Sequence, residues 1–77
     1  MIKLYYFAGL REVTGKFEEM ADLAGQTVGE LYSWITDKYP DMPINSTRIA
    51  VNEEYALLTD VLQDGDIAAF IPPVSGG

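Results

Sequence analysis

TVGELYSWITDKYP, residues 27–40, is the stretch that decides the fold. Thr27 stands three positions before Glu30, which is the spacing of a capping box at the start of a helix. The apolar residues that follow recur at helical spacing, and Pro40 ends the pattern. The stretch therefore predicts one amphipathic helix, with Trp34 half buried at the edge of its apolar stripe. The predicted stripe consists of Val28, Leu31, Tyr32, Ile35 and Tyr39.

Two strands are predicted before this helix. In residues 1–7, Ile2, Leu4 and Tyr6 occupy every second position, which predicts a strand that places these three side chains in the core. Residues 8–15 contain two glycines and are predicted to form a turn-rich link. Residues 16–23 are predicted to form a second strand, which pairs with the first in a hairpin.

Three further strands are predicted after the helix. They cover residues 47–52, residues 54–57 after a turn at Asn52-Glu53, and residues 66–71 after the turn Asp64-Gly65-Asp66. The order is ββαβββ, with one main helix that covers a mixed sheet of four to five strands. This order predicts an α+β fold of the β-grasp, or ubiquitin-like, type. We expect the domain to span residues 1–71 and a C-terminal tail to span residues 72–77.

The composition excludes several classes of function. Seventy-seven residues allow one domain. The net charge of −7 argues against nucleic-acid binding, because a phosphate backbone would be repelled, but it suits both solubility and a basic partner. The chain has no cysteine and no histidine, which excludes disulfides, thiolate metal sites and catalytic arrangements built on either residue. With no long apolar run and no leader, we expect a cytoplasmic protein without membrane contact.

The acidic residues do not indicate an active site. A carboxylate metal site at Asp64 and Asp66 is conceivable, but a tight turn explains both residues without a metal. Glu18-Glu19 and Glu53-Glu54 are interpreted as solvated charges, and the chain has no phosphate-binding loop. We therefore expect no metal, no bound cofactor and no enzymatic activity of the chain by itself.

The sequence ends in PPVSGG, residues 72–77. Prolines cannot donate to a sheet ladder, so Pro72 and Pro73 end the last strand. Glycines lack a Cβ, so Gly76 and Gly77 can enter a channel that other residues would block. Six residues span at most about 20 Å, which is enough to carry the terminal carboxylate into another protein. The alternative is a frayed terminus without a function.

Four segments resemble the family of molybdopterin synthase small subunits. They are FAGLRE at 7–12, AVNEEY at 50–55, DGD at 64–66 and the ending PPVSGG. The resemblance runs from the first residue to the last. It implies a sulfur carrier, which is a non-catalytic subunit of the synthase.

The resemblance also implies a reaction sequence and its partners. An adenylyltransferase of the ubiquitin E1 type uses ATP to adenylate the carboxylate of Gly77, and sulfur from a persulfide donor then replaces AMP. The resulting thiocarboxylate gives its sulfur to cyclic pyranopterin monophosphate in the large subunit. The synthase of this family is a heterotetramer of two small and two large subunits. The tail residues that enter the large subunit are Pro72, Pro73, Val74, Ser75 and Gly76.

The partner interface is predicted from the last strand. The family usually has a charged residue at the position of Ile67, so this side chain should face outward, with Phe70 in the core and Ile71 near the partner. Phe7 is a second candidate for the same apolar surface, and ordinary packing is the alternative for each. Arg11 and Glu12 either order their loop or contact the activating enzyme.

Three other functions share some of these features. A sulfur carrier for thiamine or tRNA thiolation, and a ubiquitin-like protein modifier, would use the same fold and tail. A plain interaction domain would carry the Gly-Gly ending incidentally.

Overall fold

A computed structural model describes residues 1–72 of the chain. The predicted order of five strands and one main helix is confirmed, with two short helical segments added. The strands are β1 (Ile2–Tyr6), β2 (Glu18–Ala21), β3 (Arg48–Val51), β4 (Glu54–Tyr55) and β5 (Ile67–Ile71). The helices are α1 (Leu10–Thr14), α2 (Val28–Lys38) and a 3-10 turn (Ile44–Ser46).

The five strands form one mixed sheet in the order β2-β1-β5-β3-β4. β1 and β2 pair antiparallel, which confirms the predicted hairpin. β1 and β5 pair parallel at the centre, and β3 pairs antiparallel with both β5 and β4. The sheet carries α2 on one face, so the predicted β-grasp architecture is confirmed.

The capping box of α2 is formed as the sequence predicts. The Glu30 backbone N–H donates to Thr27 Oγ1 at 3.2 Å, and the Thr27 backbone N–H donates to Glu30 Oε1 at 2.9 Å. Val28, Leu31 and Ile35 are fully buried, so the centre of the stripe faces the sheet. The stripe's outer members Tyr32 and Tyr39 are half buried, as is Trp34.

Alternation along the central strands places their large side chains in the core. Ile2, Leu4 and Tyr6 of β1 are at most 1% exposed, as the sequence predicts. Phe70 of β5 is also fully buried, and its ring stacks on that of Tyr6 with centroids 5.4 Å apart. The core therefore joins the two parallel strands to the underside of α2.

The prediction of an irregular link over residues 8–15 is wrong. The segment contains α1, in which Leu10 and Thr14 lie one helical turn apart and are both buried. Gly9 and Gly15 stand at the ends of this helix. Gly15 has a φ of 77° and donates its N–H to the Arg11 carbonyl, which closes the last turn.

The interpretation of Glu19 as a solvated charge is also wrong. Glu19 pairs with Leu4 across β1 and β2, so it lies on the same sheet face as the helix, and its side chain is 8% exposed. It accepts hydrogen bonds from the hydroxyls of Tyr6 at 2.7 Å and Tyr39 at 2.9 Å. The ammonium groups of two lysines, Lys16 and Lys38, lie at 3.0 and 3.2 Å.

These contacts move the pKa values within the Glu19 cluster, which comprises Glu19, Tyr6, Tyr39, Lys16 and Lys38. Burial alone would raise the pKa of Glu19, but the four donors outweigh it and lower that pKa to about 2. Burial, reinforced by the hydrogen bond to Glu19, raises the pKa of Tyr6 far above its ordinary value. The cluster ties the β1–β2 hairpin to the end of α2.

Both carboxylates of the turn before β5, those of Asp64 and Asp66, have partners within the described part of the chain. Asp66 accepts from the Gln63 N–H at 2.8 Å and from Asn52 Nδ2 at 2.9 Å, while Asp64 pairs with the N-terminal ammonium of Met1. Within residues 1–72, no three acidic side chains lie close enough to hold a metal ion. No helix in the same range is long and apolar enough to cross a membrane.

Candidate functional site: an apolar sheet face beside the tail

The sheet face opposite α2, here called the open face, carries an apolar depression. It is formed by alternate residues of β1, β3 and β5, together with β4 and the turn before β4. The lining residues are Tyr5, Phe7, Ala50, Asn52, Glu53, Tyr55, Ile67, Ala69 and Ile71.

The register of the two central strands brings together the three residues predicted for a partner interface. Tyr5 pairs with Ala69 across β1 and β5, and the Phe7 N–H continues the ladder to the Phe70 carbonyl at 3.4 Å. Phe7 and Ile67 are 43% and 41% exposed, and Ile71 is half buried on the same face. The predicted orientations of Ile67 and Phe70 are therefore correct. Whether a partner covers this face stays a prediction.

Tyr5 and Tyr55 belong to the open face but were not singled out from the sequence. Tyr5 lies between two buried positions of β1, so alternation alone would have placed it beside Phe7. Tyr55 is 63% exposed and pairs with Ala50, and the Arg48 guanidinium carbon lies 4.7 Å from the centroid of its ring. Its place depends on the tight turn before β4, whose geometry is not readable from alternation.

Arg11 orders the loop that carries Phe7. Its Nε donates to the Tyr6 carbonyl at 2.9 Å, and its guanidinium carbon lies 4.7 Å from the centroid of the Phe17 ring. These contacts hold the end of β1 against α1, which agrees with the first of the two roles considered for Arg11. Glu12 faces solvent in the first turn of α1, and no contact in residues 1–72 explains its side chain.

The described chain ends beside the open face. β1 and β5 run parallel, so Ile71, at the C-terminal end of β5, lies at the same end of the sheet as Phe7, which follows β1. Ile71 pairs with Arg48 at the start of β3, and Pro72 is the last residue that the structure describes. The predicted site residues Pro73, Val74, Ser75, Gly76 and Gly77 lie outside the described residues.

The open face is suited to binding rather than to catalysis. Its depression is mainly apolar, with Asn52 and Glu53 as its polar members. Asn52 is already engaged with Asp66 and with the Ile67 N–H. Exposed apolar area on a chain with a net charge of −7 is expected to be covered by a partner.

Comparison with known proteins gives a consistent assignment over the whole chain. The model of the ThiS family matches residues 4–77. The molybdopterin synthase sulfur carrier subunit of Mycobacterium tuberculosis is 39% identical over 80 residues, which cover 99% of this chain and 96% of that protein. The protein of the same name from Chlamydomonas reinhardtii is 40% identical over 81 residues, with coverage of 99% and 98%.

Solved structures agree with the fold. A putative molybdopterin converting factor, subunit 1, from Pyrococcus furiosus has a TM-score of 0.85 and 29% identity, and the match covers 95% of this chain and 97% of that one. Small archaeal modifier protein 1 from Methanosarcina acetivorans has a TM-score of 0.78 and 30% identity, with coverage of 99% and 95%.

A chain in the Helicobacter pylori complex of subunits 1 and 2 of molybdopterin-converting factor has a TM-score of 0.69. The match covers 99% of this chain and 97% of that one. At 23% identity, this last likeness concerns the fold alone.

Proposed function

The chain belongs to the ThiS family, and on that basis we propose that it is the sulfur carrier subunit of a molybdopterin synthase. Curated relatives with that name align with it from end to end. The structural observation that carries the proposal is the place where the described chain ends. Ile71, at the end of β5, lies on the exposed apolar face, and Pro72 follows it. One partner that covers this face can therefore also receive the segment that ends in Gly76-Gly77.

The partner in this proposal is the large subunit of the synthase. The Helicobacter pylori complex of subunits 1 and 2 contains a chain of the same fold, which supports a second subunit as the partner. On the open face, Phe7, Ile67 and Ile71 supply the apolar contact. Six residues from Pro72 onward reach at most about 20 Å into that subunit. The assembly is a heterotetramer with two copies of each subunit.

The chemistry resides in the terminal carboxylate of Gly77. A carboxylate is a poor electrophile, so the activating enzyme first joins it to AMP from ATP and releases pyrophosphate. A persulfide sulfur then attacks the acyl carbon and displaces AMP, and a thiol cleaves the acyl disulfide to leave the thiocarboxylate. The sulfur of this group is a stronger nucleophile than the oxygen it replaced, and the large subunit directs it to cyclic pyranopterin monophosphate.

The chain itself presents the sulfur and catalyses no step in this scheme. It contains no cysteine, so the thiol must come from a partner, and it contains no histidine to act as a general base. The Glu19 carboxylate is not available as a base, because it accepts the hydrogen bond of Tyr6 within the Glu19 cluster, on the sheet face opposite to the open face.

A second candidate is a ubiquitin-like protein modifier, which would join Gly77 to lysines of other proteins. The 30% identity to small archaeal modifier protein 1 favours it. Isopeptide adducts of this chain on many cellular proteins would distinguish a modifier from a dedicated sulfur carrier.

Reconstitution tests the proposal. The chain would be combined with a synthase large subunit, an E1-type adenylyltransferase, ATP, a persulfide donor and cyclic pyranopterin monophosphate. We expect molybdopterin to form, and a chain that lacks Gly77 should give none. A thiocarboxylated chain that binds no large subunit, yet supports thiamine or tRNA thiolation, would assign the carrier to another pathway.

A further inference from the structure

A second exposed apolar surface lies outside the open face. Leu57 and Leu58, which follow β4, are 68% and 60% exposed. They border a groove between α2 and the segment after β4, and Tyr32 and Ile44 supply further apolar walls. Neither leucine contributes to the core, so hydrophobic burial within the described domain does not account for them.

The segment that carries these leucines is hydrogen-bonded to the start of α2. The N–H groups of Val28 and Gly29 donate to the carbonyls of Asp60 and Leu58, each at 2.9 Å. The Asp60 carboxylate accepts from the Leu57 N–H at 2.9 Å, and the Asp60 N–H donates to the Leu57 carbonyl at 3.0 Å. The surface is therefore formed before a partner binds, and binding requires little loss of conformational entropy in this segment.

Gly29 permits the close approach of this segment to the helix. A Cβ built at Gly29 would lie 3.3 Å from the Leu58 carbonyl oxygen, which is tighter than most real contacts. The glycine in the first turn of α2 thus sets the wall of the groove. Its presence in the capping box costs helix propensity, which the close packing offsets.

The groove differs in charge from the rest of the molecule. Among the described residues that line it, Arg48 is the one charged side chain, on a chain with twelve acidic and five basic residues. Within residues 1–72, no carboxylate oxygen lies within 4.0 Å of the Arg48 guanidinium, which rests on the Tyr55 ring instead. A segment that binds in the groove is therefore expected to carry a negative charge opposite Arg48.

The groove is continuous with the open face. Tyr55 lines both surfaces, and Arg48 pairs across the sheet with Ile71 at the point where the tail leaves. A subunit that covers the open face and receives the tail thus passes Arg48 and reaches the groove without leaving the surface of the domain.

We propose that this groove receives an extended segment of the large subunit, in which an aliphatic side chain packs on Leu57 and Leu58 and a carboxylate meets Arg48. The inference rests on the proposed function for the identity of the partner. It adds a second contact surface to the open face and the tail, and it specifies the chemistry of the segment that binds there.

Cross-linking from single cysteines tests this contact, because the chain has no cysteine of its own. Leu58→Cys, Ile67→Cys and Ser33→Cys would each be labelled with a benzophenone maleimide and irradiated in complex with the large subunit. Ile67 reports on the open face, and Ser33, exposed on α2, is the control. We expect cross-links from positions 58 and 67 and none from 33. The peptide captured at 58 should contain an aliphatic residue within a few positions of an aspartate or glutamate.

Affinity measurements test the charge. Arg48→Gln should weaken binding of the large subunit about tenfold, which corresponds to about 1.4 kcal/mol, and should reduce the dependence of binding on salt. Lys16→Gln, which makes the same change of net charge away from the groove, should leave the affinity near that of the parent chain. Equal affinities for Arg48→Gln and the parent would overturn the assigned role of Arg48.

The outcomes separate this inference from the proposed function. A cross-link from position 67 without one from 58 would overturn the groove contact and leave the sulfur carrier role intact. Absence of any complex with the large subunit would overturn both.

Discussion

Asn52 Nδ2 donates a hydrogen bond of 2.9 Å to Asp66 Oδ1, across a separation of 14 residues. Asn52 Oδ1 accepts from the Ile67 N–H at 3.1 Å, and the Asn52 N–H donates to the Ile67 carbonyl at 2.8 Å. One side chain thus joins the β3–β4 turn to the start of β5. The backbone of Asn52 has a φ of 51°, which lies in the left-handed region that asparagine tolerates better than most residues. The link fixes the end of the strand that carries Ile67.

Asn52→Ala should therefore lower the free energy of unfolding by about 1–3 kcal/mol, for two reasons. It removes both hydrogen bonds of the Asn52 side chain. It also places alanine at a positive φ, where its side chain cannot form the local hydrogen bonds by which asparagine tolerates this conformation. Urea unfolding followed by circular dichroism measures the loss. Asn52→Gly separates the two causes, since glycine relieves the strain but restores no hydrogen bond. Asn45→Ala, at an exposed asparagine, is the control and should change stability by less than about 0.5 kcal/mol. An Asn52→Ala chain as stable as the parent would contradict the role of this link.

The Glu19 cluster predicts a specific pH dependence of stability. The folded state lowers the pKa of Glu19 from 4.5 to about 2, so the carboxylate stabilises the fold above pH 4.5. This stabilisation is lost as the pH falls through that window towards 2. Glu19→Gln should lower the free energy of unfolding at pH 7 by about 2 kcal/mol, a value that is reduced because the two lysines are exposed to solvent. When the pH is lowered, the variant should lose less stability than the parent chain.

Glu18→Gln is the matched control for this prediction. Glu18 is the sequence neighbour of Glu19 but points to the other sheet face, where it pairs with Lys3 at 3.6 Å in an exposed position. The substitution should change stability at pH 7 by less than about 1 kcal/mol. Urea midpoints from pH 7 to pH 2 measure both variants. Parallel curves for the parent and Glu19→Gln would show that the cluster is not the source of the acid sensitivity.

The open face predicts a variant that separates binding from folding. Ile67→Asp places a charge at a position that is 41% exposed, so the melting temperature should remain within a few degrees of the parent. Binding to the large subunit should weaken by at least about tenfold, because the charge would be buried without a partner in an apolar interface. Calorimetric titration measures the affinity, with Ser33→Asp on α2 as the control. Unchanged affinity in Ile67→Asp would remove the open face from the interface.

Glycine at position 76 is predicted to be required for function but not for folding. Gly76→Leu should leave the unfolding curve unchanged, because residue 76 lies beyond the β-grasp domain proposed for residues 1–71. It should block both adenylation and sulfur transfer, since a branched side chain obstructs a channel fitted to a bare backbone. Pyrophosphate release and molybdopterin formation measure the two steps. Ser75→Ala, which keeps a small side chain, should retain activity. Normal activity of Gly76→Leu would rule out a narrow channel.

The sequence was sufficient for the elements whose residues repeat with a clear period. Alternation placed Ile2, Leu4 and Tyr6 in the core, and the capping box located the start of α2 at its first residue. The outward position of Ile67 followed from alternation in β5 together with the resemblance to a family. These features depend on local spacing, which a single sequence contains.

The sequence was insufficient where tertiary contacts decided the outcome. Glycines at positions 9 and 15 suggested a break in structure, but they cap a five-residue helix that the burial of Leu10 stabilises. Glu19 follows another glutamate and suggested a solvated pair, but the register with Leu4 turns it towards two tyrosines and two lysines. Neither the docking of a short helix nor the register of a hairpin is encoded in hydrophobic period alone.

The central claim is that Gly77 carries sulfur, and the intact mass of the protein tests it most directly. The chain would be purified from cells that retain the activating enzyme and the sulfur donor, alongside a form that lacks Gly77. The account predicts a gain of about 16 Da, from the exchange of one oxygen for sulfur, in the full chain and no gain in the form that lacks Gly77. An unmodified mass, with ATP, activating enzyme and sulfur donor all supplied, would contradict the account and leave a β-grasp interaction domain whose tail carries no sulfur.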